Sequence, residues 1–282
     1  STSTSTSAPE IPKGFVPQIR KLLEPLRKIM EGMSLLRERT PQGLDYALSF
    51  GERLSAFVLT NLLCARGVDS VYVDARSWVR TDTHFGNAKV DWEETRRNVG
   101  TLWQSWGDRV SIHTGFIGST SDGRTTTLGR NGSDYTATLL GSSLRAKEVI
   151  INTDVAGVMT ADPRIVADAV PVSNLTFAEA LELAVYGSQL FHPRTFFPLM
   201  ETGVPMLIRN TLGTCGADGG ASGGGTLISR NGGERHNKST AARPTCVTSL
   251  ERLAMIEVVV LHQQAAADAK LGSLMSQTLA DD

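Results

Sequence analysis

The chain has 282 residues, enough for one large core or two modest ones, and its 40% hydrophobic and 20% charged residues exclude a disordered or fibrous chain. A net charge of −1, from 28 basic and 29 acidic residues with no basic block, excludes nucleic acid as an expected partner. Cys64, Cys215 and Cys246 stand far apart and outside any metal-ligand spacing, so neither a disulfide framework nor a metal site is expected and a reducing compartment fits.

The start, STSTSTSAPEIP, is hydroxyl-rich and lacks the apolar stretch of a secretory signal, which predicts a disordered tail over 1–16. A first residue that is Ser and not Met fits a removed presequence, and the expected location is the mitochondrial matrix side or another organelle, otherwise the cytoplasm. From 17 to 33 the apolar residues Ile19, Leu22, Leu23, Leu26, Ile29, Met30 and Met33 form a helical stripe crossed by Pro25, which predicts one kinked helix or two short ones. A second amphipathic helix is predicted over 48–66, stopped by Gly67, followed by a strand over 70–75. Further on, the pattern predicts a helix over 92–106, a strand over 110–117 containing His113, a turn over 118–124, a helix over 133–144 and a short buried strand over 148–152. Helices over 177–190 and 195–201 and a strand over 204–208 complete an alternation that points to an α/β fold on a largely parallel sheet.

The stretch 215–225, CGADGGASGGG, has no bulky residue to pack and reads as a loop, and 231–249 reads as a linker. A strand signal over 250–261 and a helical one over 263–279 follow, more apolar than a lone βα unit can bury. No apolar run approaches the roughly 18 residues of a bilayer span.

Three clusters carry chemistry. In 124–137, RTTTLGRNGSDYTA, a hydroxyl-rich strand end meets Gly129, Arg130, Asn131, Gly132, Ser133 and Asp134 ahead of a helical stripe. Glycines let a ligand approach the backbone, Ser133 or Asp134 can cap the helix, its N-terminus favours an anion, and Arg130 can hold a carboxylate in a forked pair of hydrogen bonds. An ordinary N-cap turn with a solvated Arg reads equally from these residues taken alone. The second cluster is SFGE at 49–52, where Glu52 either accepts from an ammonium group or merely favours the positive end of its helix. The third is NTDVAGVMTADPR at 152–164, which follows a buried strand and so places Thr153, Asp154 and Arg164 where a nucleotide sits in open α/β sheets, although Asp162 and Pro163 also make a plain turn.

In order along the chain, SFGERLSAF, GFIGSTSDGRTTTLGRNGSDYTATLL, NTDVAGVMTADPRIV, FAEALELAVYGSQLFHPRT and VPMLIRNT followed by GGGTLIS resemble the aspartokinase family, in particular the aspartokinase part of bifunctional aspartokinase and homoserine dehydrogenase proteins. The resemblance implies the amino-acid kinase fold over 17–230, a three-layer α/β/α sandwich, with 250–282 as a partial ACT-like βα unit. It implies transfer of the γ-phosphate of MgATP to the β-carboxylate of aspartate, with Glu52, Arg130 and Ser133 on the amino acid, Asp134 organising the reacting groups, and Thr153, Asp154 and Arg164 on the nucleotide.

Departures accompany the resemblance. The KFGGTS segment with its phosphate-binding lysine and glycines is absent from these residues, the nucleotide-side tyrosine is replaced by Met159, and the lysine of the FGAK segment by Gln189. Since phosphoryl transfer depends on cancelling phosphate charge, these departures lead to the expectation of a catalytically inactive scaffold or accessory subunit, bound to other protein subunits and needing no cofactor. The alternatives are a functional aspartate kinase using MgATP, completed by a missing segment or another chain, and an amino-acid-sensing module that keeps aspartate as a ligand.

Overall fold

The structure is a computed structural model that describes residues 14–186, 190–212, 225–232 and 246–248. The chain divides into a unit of residues 1–249 and a unit of 250–282, and every described residue belongs to the first. The strand and helix expected over 250–261 and 263–279 therefore lie outside the described residues.

Helix α1 (Phe15–Leu36) runs through Pro25 as one helix, not two. Its apolar stripe is half-buried at best and leans on α2 (Pro41–Ala65), with Phe15 stacked on Phe57 at 5.8 Å. Helix α2 starts well before the apolar pattern suggests, because Thr40 accepts from the Gly43 N–H and Pro41 sits in the first turn, where a missing N–H costs nothing.

Strands β1 (Ser70–Val73) and β2 (Val110–His113) pair in parallel, joined through a short turn of tight helix at Ala75–Ser77 and helix α3 (Trp92–Trp106). The strand expected over 110–117 is broken after His113, since Phe116 takes a left-handed φ of 68° that a continuous strand does not allow. The chain then forms the antiparallel pair β3 (Ile117–Ser119) and β4 (Thr125–Thr127) around the expected turn. Helix α4 (Gly132–Ser143) follows directly.

A four-stranded sheet forms the second half, in the order β5 (Val149–Thr153), β7 (Met206–Asn210), β8 (Thr226–Ser229), β6 (Asn174–Thr176). Helix α5 (Phe177–Val185), closed at its start by a reciprocal Thr176–Glu179 capping box, and the short α6 (Phe197–Thr202) pack with it. Pairing is parallel between β5 and β7 and between β6 and β8, but antiparallel between β7 and β8. The sheet is thus mixed, which corrects the largely parallel expectation: parallel neighbours need a long crossover, usually a helix, and the Gly-rich stretch between β7 and β8 has no helical pattern.

Two hydrophobic clusters follow this division. One gathers Val73, Trp78, Val99, Trp106, Ile117 and Leu139, and the other Leu175, Phe196, Leu199, Met206, Ile208 and Ile228. Helix α4 serves both, for Leu139 is buried in the first while Ala137 packs against the second.

Candidate active site

The GRNGSD segment sits between β4 and α4, as the sequence predicts, but the helix begins at Gly132. A Cβ at Gly132 would lie 2.7 Å from a Phe116 ring carbon, so only glycine lets the helix start this close to the β2–β3 link. Neither Ser133 nor Asp134 caps α4; both stand inside its first turn, and Asn131 precedes it in the left-handed region at φ 52° with no side-chain cap. Asn131 instead donates from Nδ2 to an Asp134 carboxylate oxygen at 3.2 Å. Burial raises the Asp134 carboxyl above its ordinary range, only partly offset by that bond. Ser133 and the Arg130 side chain are exposed, and among the described residues Arg130 has no ion pair.

The turn is held from two sides. Asp45, buried in the first part of α2, accepts from the Gly86 N–H, the Thr127 N–H and the Thr127 hydroxyl at 2.9, 2.9 and 2.8 Å, and so fixes the end of β4 and the loop of residues 82–89 together. Asn87 of that loop presses on Gly129, where a Cβ would come 2.7 Å from its Oδ1 and where the backbone takes φ 70°. From the other half of the fold, Arg194 donates to Asn87 Oδ1 at 2.9 Å and to the Arg130 carbonyl. Its guanidinium lies 5.4 Å from the Tyr135 ring centroid. Next to it, the His192 imidazolium is disfavoured first by burial and then by the Arg194 and Arg130 charges.

Glu52 is half-buried on α2, makes no hydrogen bond or ion pair among the described residues, and has its carboxyl raised by burial. Asp134 faces a small cleft of about 90 Å³ whose walls include Asn152 and Thr153 at the carboxyl end of β5, Phe191, Thr195 and Ile208. Two of the three sequence clusters therefore meet at one cavity, beyond a strand end where α/β folds bind ligands. Thr153 is fixed through its carbonyl by the N–H and hydroxyl of Thr211, and its own hydroxyl donates to the exposed Asp154. Arg164 is exposed and pairs with Asp162 at 2.7 Å within its own turn, and it is not among the residues that line the cleft. Met159 is half-buried beside Pro171, and Gln189 lies outside the described residues. Among the described residues no group of three or more His, Cys, Asp or Glu could hold a metal ion.

Asp45, Asn87, Arg194 and Thr195 were not singled out by sequence reasoning. Arg194 and Thr195 stand in the quoted FHPRT segment, which was their only signal; Asp45 had none, its partners lying 41 and 82 residues away.

Residues 10–210 match the model of the amino acid kinase family. The chain belongs to that family. Within it, this kinase-family chain is on the aspartokinase branch: it is 36% identical to lysine-sensitive aspartokinase 3 of Escherichia coli over 212 residues, 75% of this chain and 45% of that one. It is 30% identical over 245 residues to bifunctional aspartokinase/homoserine dehydrogenase 1 of Zea mays, covering 86% of this chain and 26% of the relative. In three dimensions it is similar to Escherichia coli aspartokinase III solved with aspartate and ADP in the R-state, with a TM-score of 0.68 and 35% identity over 76% of this chain and 46% of that one. The chain spans less than half the length of the curated relatives it matches.

These similarities overturn the expectation of an inactive scaffold with other subunits as its purpose. The relatives are aspartokinases, and the likeness runs through the elements that build the cleft. That these residues hold no lysine–glycine segment says nothing about activity, because the match covers 45% of aspartokinase 3. Among the described residues no helix is long and apolar enough to cross a membrane.

Proposed function

We propose that this chain is kinase-bearing sequence of an aspartokinase, transferring the γ-phosphoryl group of ATP to the β-carboxylate of L-aspartate to give 4-phospho-L-aspartate. The observation that carries this reading is the meeting of Asp134 and Thr153 at one cleft in a chain of this family. Arg130, whose guanidinium is unpaired among the described residues, offers the fork that holds a carboxylate, Glu52 offers an anion for the amino group, and Ser133 adds a hydroxyl at the same turn. Thr153 and Asp154 take the nucleotide side, with Arg164 contributing from its turn.

The donor set fits MgATP: magnesium is usually held by substrate phosphates plus one or two carboxylates, and Asp134 is a half-buried carboxylate that makes no ion pair among the described residues. Asp134 would hold the ion, which supplies charge neutralisation at the transferring group. The rest is positioning: Arg130 orients the substrate carboxylate. Residues 17–230 form the kinase domain in this reading, 231–249 a linker and 250–282 a partial ACT-like βα unit. A relative solved with lysine and aspartate in a T-state favours such a regulatory portion.

Trapping with hydroxylamine tests the activity: the protein with MgATP and aspartate should yield aspartyl hydroxamate, and Asp134→Asn should lower kcat by about 10²-fold. Hydroxamate formation that needs no aspartate, or an Asp134→Asn protein as fast as the wild type, would sink the assignment.

A further inference from the structure

Arg194 joins two loops that the chain places far apart, and its chemistry decides what such a junction does. Its two terminal nitrogens are spent on Asn87 Oδ1 and the Arg130 carbonyl, its plane lies over Tyr135, and its Nε is buried without a partner. A guanidinium is a rigid fork, so two acceptors held by it have a fixed distance and angle between them, which a lysine cannot impose. Gly129 is meanwhile pinched against Asn87, and the loop of residues 82–89 is tied by Asp45 to α2, the helix that carries Glu52. The backbone of Arg130 is thereby clamped between α2 and the Pro193–Thr195 turn, while its side chain stays exposed and, among the described residues, unpaired.

We infer that Arg194 is a positioning residue for the substrate carboxylate, acting by holding the Arg130 turn at the angle that aims the Arg130 guanidinium. This rests on the aspartokinase reading above. It goes further in naming which residue sets affinity for the amino acid without touching it. A residue that merely ties the fold together would change stability and leave the two substrates equally affected; a residue that aims Arg130 changes the KM for aspartate and spares that for ATP.

The test is steady-state kinetics on the protein with Arg194→Met, Arg194→Lys and Asn87→Leu, with hydroxamate as product. Arg194→Met should raise the KM for aspartate about tenfold or more while kcat and the KM for ATP stay within about twofold. Arg194→Lys, which keeps the charge but not the fork, should recover only part of the loss. Asn87→Leu, on an exposed loop, should move the aspartate KM in the same direction, and the Arg194→Met/Asn87→Leu double variant should be no worse than Arg194→Met. Should Arg194→Met not fold, Asn87→Leu decides alone. An unchanged aspartate KM in a folded variant, or proportionate rises for both substrates, overturns the inference and leaves the kinase reading standing. A wild-type protein with neither turnover nor aspartate binding overturns both.

Discussion

The two halves of the interior are built on different chemistry. Around β5–β8 the buried hydrophobic cluster is aliphatic, Met or Phe, with Phe191 edge-on to Phe196 at 5.2 Å, and the buried polar groups beside it, such as Thr226, are hydroxyls that carry no charge. Around β1 and β2 a histidine sits in the core, the His113 ring edge-on to Trp106 at 4.6 Å and to Trp78 at 5.7 Å. Both nitrogens of that ring and Trp78 Nε1 are buried without a partner. The same half depends on the Asp45 carboxylate to hold its loops. One half is thus stabilised by apolar area, which is indifferent to pH, and the other partly by polar groups whose charge state matters. The substrate-side turn is tied to both halves, to the first through Arg194 and to the second through Asp45, so conditions that perturb the second should reach Arg130 before they reach the sheet.

The largest expected effect breaks the apolar half. Phe196 is fully buried, and Phe196→Ala should cost about 4 kcal/mol in urea unfolding, by lost burial and a cavity, equally at pH 5 and pH 7. An effect that varied strongly with pH would mean that the two halves are not chemically distinct. Asp45→Ala comes next, at about 3 kcal/mol, since it strands the buried N–H and hydroxyl of Thr127. It should also raise the KM for aspartate, a readout that Phe196→Ala need not share.

The third effect sharpens the contrast by pH. Burial pushes His113 from 6.5 down to about 4, so the folded protein keeps the ring neutral where the unfolded chain already binds a proton. Stability from this group is full above pH 6.5 and is lost as the pH falls toward 4, by about 2 to 3 kcal/mol. Replacing it by His113→Phe should flatten that part of the pH–stability curve, and a curve identical to wild type would remove His113 from the account. The smallest effect is local to the apolar half: Thr176→Ala removes the capping box of α5 and should cost about 1 kcal/mol, read from the thermal midpoint, with kcat unchanged.

By itself the sequence determined what depends on neighbours in the chain. Helix α3 has the bounds its pattern predicts, 92–106, because an apolar stripe with Asp91 capping it and Gly107 ending it is local information. The three chemical clusters and the family were legible for the same reason, as was the placing of Thr153 at a strand end. Tertiary structure alone decided the mixed sheet, since β6 and β8 are three and four residues long, too short to show a period. It also decided that Arg164 stays with Asp162, and that Phe116 breaks the strand read as continuous. Above all it decided the clamp on Arg130, whose parts Asp45, Asn87 and Arg194 bond across separations of 41, 64, 82 and 107 residues. No local pattern encodes such bonds, because each partner satisfies its hydrogen-bonding needs only after packing has brought the other within reach.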